Sequence, residues 1–277
     1  MSRRSSVRYV KPILLYGFLT LVLIWFLFPF YWTTLTSFKY FVEMFESPPT
    51  FVPRNWTLEN YQYAFSTFPP YFLNSAVVGA FSTIFALTIG SLAGYSFARH
   101  RSITSYFLFF VVLLSKTFPP IVSVIPLFIL IRALHLLDTL AALILVHTAL
   151  NLPFVIWMVT GFIRGVPNEI EDSAMIDGCS RIGALFRIVL PAMKSGLAVT
   201  AIFAFLGSWD EFLYALSLTS LEAKTLPVIM AQHITVWEIK WGGMTAGGVL
   251  YVLPVLAFSF VLQKYMVKGL TMGAVKG

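Results

Sequence analysis

The residues best equipped for chemistry cluster between Arg164 and Lys194, where four acids and four bases fall within 31 residues. Glu169, Glu171 and Asp172 are spaced to fill the first turn of a helix, where backbone N–H groups and the helix dipole favour carboxylates, with Asn168 as its cap. Ile170, Ser173, Ala174 and Asp177 then recur at i, i+3, i+4 and i+7, a narrow face of small residues. Gly178 supplies the left-handed position that ends such a helix. Ser180 can cap a second helix with Leu185, Phe186 and Val189 along one stripe, and Pro191, which has no N–H to donate, closes it. A helix of about ten residues is marginal in water by itself, so the first one must lie against either its own chain or a partner. On a basic partner, Glu171 or Asp172 would form an ion pair; alternatively, both acids only favour the helix N-terminus.

Outside this segment, polar groups with a possible task are few. Lys116 falls inside an apolar stretch about 11 residues past Ser105, which at 1.5 Å per residue is near the middle of a membrane. It is either functional or satisfies carbonyls freed where Phe118-Pro119-Pro120 breaks the helix. Trp209, Asp210 and Glu211 offer an aromatic face and two carboxylates, the two kinds of group that bind sugars, but neighbours on a helix point apart, so at most one carboxylate faces a pathway. Asn151, beside Pro153, is a similar pathway candidate or a polar group paired across helices. His100, His135, His147 and His233 lie in four separate regions with no metal-ligand spacing, and His147 inside a span reads as a hydrogen-bonded core residue. The one cysteine, Cys179, excludes an internal disulfide framework. No phosphate cradle of the form G-x-x-x-x-G-K-[ST] occurs, so the chain cannot bind and hydrolyse ATP in that manner.

These groups are set among apolar runs. Of 277 residues, 58% are hydrophobic and 11% charged, far from the roughly 25% charge of a soluble domain, and an ordinary core at this length cannot hide so much apolar surface. Residues 12–38, 60–98, 139–163 and 241–263 carry no Asp, Glu, Lys or Arg, each longer than the ~20 residues needed to cross a bilayer. Two further apolar stretches, 105–131 and 195–217, hold internal charge at Lys116 and at Asp210 and Glu211. An all-α membrane protein of six spans is expected, at about Ile13–Leu35, Tyr71–Ala98, Ser105–Ile131, Thr139–Ile163, Ser195–Leu218 and Thr245–Gln263.

The net charge of +7 is not a nucleic-acid patch, because the basic residues sit between the apolar runs. Thirteen Lys and Arg belong to one set of alternating connections: four in the N-terminus, Arg99 and Arg101, the four of segment 164–194, and Lys264, Lys268 and Lys276. Five (Lys39, Arg54, Arg132, Lys224, Lys240) belong to the other, which puts both termini in the cytoplasm. The expected organisation is a cytoplasmic N-terminus (1–12), a six-helix transmembrane domain (13–265) with an ordered, proline-rich external cap (36–70) and a cytoplasmic two-helix loop (164–194) between spans 4 and 5, and a cytoplasmic tail (266–277). A stand-alone secondary transporter would need paired interrupted spans, and the break at Phe118-Pro119-Pro120 has no clear counterpart three spans on. An enzyme would need a nucleophile with its base, or a metal site, and neither pattern is present.

Asp172-Ser173-Ala174, three residues, Gly178, nine residues, then Ile188-Val189-Leu190-Pro191 resembles the EAA loop of ABC-importer permeases, whose pattern is Glu-Ala-Ala, three residues, Gly, nine residues, Ile-x-Leu-Pro. Asp172 replaces the Glu and Ser173 the first Ala, while Glu171 offers a carboxylate one residue earlier. Residues 56–61, 125–127, 137–139 and 209–212, with the ending Gly269-Leu270-Thr271 and Gly273 to Gly277, extend the resemblance, which is nearest the inner-membrane permease of maltose-type carbohydrate importers. That resemblance implies a bacterial or archaeal plasma-membrane subunit paired with a second, nonidentical permease, a dimer of cytoplasmic ATP-binding subunits and an external sugar-binding protein. It also implies that residues 167–178 seat in a cleft of the ATPase, that the tail with Lys276 and Gly277 reaches the ATPase dimer, and that ATP and Mg are bound by the partner, with no cofactor in this chain.

Overall fold

The computed structural model describes residues 3–233 and 240–273, with side chains over 14–233 and 240–260. The regular structure of the described residues is helical. It comprises α1 (Arg3–Thr36), α2 (Phe41–Met44), α3 (Glu59–Thr67), α4 (Pro69–Arg99), α5 (Ile103–Leu114), α6 (Pro120–Ala133), α7 (Leu140–Arg164), α8 (Asn168–Ile176), α9 (Arg181–Ala184), α10 (Leu190–Ala192), α11 (Lys194–Trp209), α12 (Leu213–Leu218), α13 (Leu226–Ala231) and α14 (Trp241–Gly273). Four stretches are single helices long and apolar enough to cross a membrane: Leu14–Thr36, Pro69–Arg99, Leu140–Arg164 and Trp241–Phe260. Ile103–Thr117 with Pro120–Ala133 reaches that length only as a pair bent by 99°, and Arg181–Ala192 with α11 only as a pair bent by 87°.

Two expected elements differ. The fifth span does not run unbroken to Leu218: α11 stops at Trp209 and the chain resumes helix at Leu213. The Glu211 carboxylate accepts the N–H groups of Tyr214 (2.8 Å) and Ala215 (3.0 Å), so a side chain supplies the partners that a continuous helix would have supplied. Nor does Pro191 end the second helix of the charged segment. A π-helical turn, Leu185–Val189, lies between α9 and α10, and the chain stays helical to Ala192. A widened turn moves the carbonyl that the proline ring would otherwise strike, and the break falls at Met193 instead.

The chain divides into two compact units, Met1–Phe68 with Gln232–Leu253, and Pro69–Ala231 with Pro254–Gly277. In the first, the proline-rich residues after α1 are ordered by polar contacts. Asn60 donates to the Ser37 and Lys39 carbonyls, and Glu43, buried, accepts from the Arg54 N–H and the Thr50 hydroxyl. Thr57 accepts the Glu59 N–H at the start of α3.

The second unit is organised on α4 and α7. Ala86, Gly90, Gly94 and Ala98 recur every four residues and form a small-residue stripe on α4. A Cβ on Gly94 would lie 2.9 Å from Val159 Cγ1 and 3.2 Å from the Thr160 backbone nitrogen, and one on Gly90 2.6 Å from Val155 Cγ1. Glycine is what allows the two helices to approach this closely. The core so formed (Ala86, Ala98, Val155, Val159, Ile163) is shared with Leu185 and Val189 of the π turn and with Met193 and Ala204.

At another connection of this unit, Asp138 holds residues 220–223. Its carboxylate accepts the N–H groups of Ser220, Leu221, Glu222 and Ala223 and the Ser220 hydroxyl. Burial pushes the Asp138 carboxyl up, but the N–H groups of Ser220 and Ala223 and their neighbours outweigh it and hold the group well below its ordinary 3.8.

Gly94→Val is expected to cost about 1–3 kcal/mol by overpacking the α4–α7 contact, read as a lower thermal midpoint of the detergent-solubilised protein. A midpoint at or above that of the parent would show that the helices can separate without cost. Because the Asp138 pKa is lowered on folding, its contribution is present above about pH 4 and lost as pH falls. Asp138→Asn is therefore expected to lower the midpoint at pH 7 and to lower it by progressively less as pH falls below about 4, with much of the difference still present at pH 3.

Candidate functional site

In the charged segment, α8 begins at Asn168 itself with Pro167 before it, and no side chain caps it. The helix ends with Asp177 at its C-cap and Gly178 at φ +87°, the left-handed turn that its glycine allows. The Ser180 hydroxyl accepts the Gly183 N–H and starts α9.

The two adjacent acids of α8 are separated by the helix rotation. Glu171 is buried at 4% exposure and forms an ion pair with Arg99 at 2.8 Å. The Tyr95 hydroxyl also donates to it. Burial pushes the Glu171 carboxyl up, the adjacent Asp172 carboxylate adds to the effect, and Arg181 opposes it. The Arg99 guanidinium meets that burial with a charge-assisted hydrogen bond, and it donates also to the carbonyls of Ile163 and Val166, both at 3.2 Å, at the end of α7. Asp172, in contrast, is exposed.

The small-residue face is divided in the same way. Ala174, one turn after Glu171, is buried against its own chain, whereas Ser173 is exposed and donates to the Glu169 carbonyl. The outward side of the segment is more apolar than the spacing suggested. Ile176 is 86% exposed, Ile182 63% and Ile170 47%. Asp177, Gly178 and Pro191 are exposed, and Ile188 and Leu190 are half-buried. The segment therefore uses both surfaces that the sequence left open: one side rests on its own helices, and the other is bare in the single chain. Lys276 and Gly277 lie outside the described residues.

The pathway candidates separate into two groups. Lys116 and Asn151 line one cleft of about 360 Å³ together with Phe154, Trp157, Phe203 and Gly207. The Asn151 amide nitrogen donates to the Ala204 carbonyl, a polar contact between α7 and α11. Trp209 takes no part in that cleft. It is 1% exposed and packs between Phe205, stacked at 5.7 Å, and Phe72, edge-on at 5.1 Å, so its ring presents no face to a ligand. Glu211 spends its carboxylate on the N-terminus of α12 and lies 3.2 Å from His147 Nε2. His147 Nδ1 in turn meets the Ser208 hydroxyl at 2.6 Å, so this group is an interior polar network. Asp210 is exposed at the break after α11.

Sequence reasoning missed Arg99, which was counted only as a topological charge, and Tyr95. The signal that could have found them is a basic residue at the end of an apolar helix whose connection offers no local acid.

Among the described residues the chain is helical, with four stretches long and apolar enough to cross a membrane. It belongs to the family of binding-protein-dependent transport system inner membrane components, whose description matches residues 86–272. Among relatives, the sulfoquinovosyl glycerol transport system permease protein SmoH of Agrobacterium fabrum is 39% identical over 91% of this chain and 89% of its own. The trehalose/maltose transport system permease protein MalG of Thermococcus litoralis is 35% identical over 91% and 92%. The same fold occurs in a bacterial ABC transporter involved in the import of the acidic polysaccharide alginate, at a TM-score of 0.78, 18% identity, and coverage of 96% of this chain and 98% of that one.

Removing either member of the Arg99–Glu171 pair leaves a buried charge unpaired, so Arg99→Met or Glu171→Leu alone is expected to cost about 3 kcal/mol or more. The double variant Arg99→Met/Glu171→Leu is expected to be more stable than either single one, measured by thermal unfolding. Additive losses would mean that the two side chains do not act on each other.

Proposed function

We propose that this chain is the permease subunit of an ATP-driven importer that moves a sugar, of di- or oligosaccharide size, across the plasma membrane into the cell. Six spans place both termini in the cytoplasm, with the two bent helical pairs and the α11–α12 break accommodated within them. The thirteen-to-five distribution of basic residues supports that orientation. The transport systems named for the relatives, for sulfoquinovosyl glycerol and for trehalose and maltose, support a saccharide cargo. The partners are a second, nonidentical permease, a dimer of ATP-binding subunits that holds ATP and Mg, and an external sugar-binding protein.

One observation carries this reading. Helix α8 is fastened to α4 through Glu171, with Ala174 buried within the chain, while Ile170, Asp172, Ser173 and Ile176 are left uncovered. A short helix fixed on one side and bare on the other is suited to transmit force from an ATPase seated beneath it. Since Glu171 is engaged within the chain, Asp172 is the acid that pairs with a basic residue of the motor, and Asp177, Gly178, Ile188, Leu190 and Pro191 hold the helix in place.

Two measurements test this. Purified from its native membrane, the chain should bring a second permease and an ATPase with it; a transport-competent homodimer alone would overturn the reading. Asp172→Lys is expected to leave ATP hydrolysis running without sugar uptake, and a charge reversal on the facing ATPase residue should restore coupling. Uptake undisturbed by Asp172→Lys would remove this carboxylate from the joint.

A further inference from the structure

Coupling to a motor leaves Lys116 unexplained. It sits on a 3-10 turn, Ser115–Thr117, between α5 and α6, where the chain bends by 99°. The hydroxyls beside it turn back onto their own helix, Ser115 donating to Val112 O (2.6 Å) and Thr117 to Leu114 O (2.7 Å). Among the described residues no carbonyl of the break accepts a hydrogen bond from the ammonium. Among the described residues, no carboxylate lies within ion-pair distance of Lys116.

The cleft it lines has a particular chemistry. Trp157 and Phe203 are 52% and 46% exposed, and Phe154 stands between them, edge-on to Phe203 with ring centroids 6.1 Å apart. Asn151 adds a carboxamide whose oxygen remains an acceptor, and Gly207 keeps one wall open because a Cβ there would lie 3.2 Å from that oxygen. Aromatic faces suit the C–H face of a pyranose, and the amide suits its hydroxyls. A cleft of about 360 Å³ is at the lower end of ligand pockets, enough for one sugar ring and its substituents. The one formal charge in this lining is positive. In an apolar wall with no acid beside it, an ammonium is expensive unless its counter-charge arrives with the ligand.

We propose that this cleft receives an acidic saccharide, a sugar carrying a carboxylate, sulfonate or sulfate, with Lys116 pairing its anionic group and Trp157 and Phe203 covering its ring. This deepens the importer reading above and rests on it. Lys116 acts as a specificity-determining residue: a neutral sugar can pass the aromatic walls but leaves the ammonium unpaired, whereas an acidic one neutralises it.

The test uses the whole transporter, with its partner permease, ATPase and external binding protein, in proteoliposomes. ATP-dependent uptake of a labelled hexuronate-containing disaccharide is compared with that of its neutral counterpart, each at a concentration that saturates the binding protein. Uptake of the acidic sugar is expected, with Lys116→Gln lowering it by about tenfold or more while changing neutral-sugar uptake by less than about twofold. Lys116→Arg should keep most of the acidic uptake. Co-purification of the partners and basal ATPase activity establish that each variant assembles.

Equal losses for both sugars would assign Lys116 to an ion pair with the second permease and overturn the proposal. So would a binding protein that retains only neutral sugars while these are imported normally. A loss that appears only in vesicles containing anionic lipid would assign the ammonium to a lipid phosphate and equally overturn it. Absence of ATP-dependent uptake of any saccharide would instead sink the importer reading beneath it.

Discussion

Much of the second unit depends on where one guanidinium points. Arg99 is the last residue of α4, and its donors reach the Glu171 carboxylate of α8 and the carbonyls of Ile163 and Val166. Ile163 lies in the last turn of α7 and Val166 two residues past it, where backbone acceptors leave the regular helical ladder. A single side chain thus closes α7, ends α4 and holds α8. Lysine could not do this, because the contacts require a planar fork with donors in several directions. The pair is also costly, since a carboxylate taken from water must recover its hydration from fixed donors. Tyr95, one turn before Arg99, supplies a further donor from the same helix.

That polar tie works only because the helices bearing it are already in register. The stripe from Ala86 to Ala98 lets α4 lie against α7 at a distance that a larger side chain would forbid, and so fixes where Arg99 emerges. Without a hydrophobic force between helices in lipid, close van der Waals contact must hold them here, for the Thr160 hydroxyl donates within its own helix to Ile156 O at 2.6 Å, with Gly94 O at 3.4 Å. The apolar anchor of the charged segment uses the same core. Leu185 and Val189 lie fully buried in it, so the segment is fastened once by charge at α8 and once by apolar contact at the π turn. Two anchors at different points of one segment resist both sliding and rotation, which a single contact would not.

How much of this the sequence disclosed depended on whether the relevant force acts locally. Charge-free runs longer than a bilayer located all four long helices, and the glycine turn at Gly178 and the Ser180 cap were readable because both are decided within a few residues. Glu171 and Arg99 are 72 residues apart, and nothing near either residue announces the other. The break after Trp209 was hidden for a related reason. An apolar run with two acids reads as a helix carrying a functional charge, whereas Glu211 is spent on backbone N–H groups that its own interruption exposes. Trp209 was misjudged because an aromatic beside two carboxylates looks like a sugar platform in one dimension, and only the third shows Phe72 and Phe205 on its faces. The Ala86–Ala98 stripe is present in the letters, but in a helix apolar all round no polar side marks which stripe matters.

The adjacent pair Glu171 and Asp172 shows how one residue of helical offset assigns function. Consecutive positions on an α-helix are turned by about 100°, so only one of the two neighbouring acids of α8 can face Arg99 and Tyr95. Glu171 takes that place, reaching Arg99 with a side chain one methylene longer than that of Asp172. Asp172 is left on the uncovered side with Ile176 one turn on, a carboxylate beside an apolar contact. Exchanging the two roles would bury the shorter acid too far from its guanidinium and expose the longer one with more freedom to lose on docking. The order long-then-short is therefore the order that makes a stiff joint: the flexible side chain is immobilised inside the protein, and the rigid one meets whatever binds beneath.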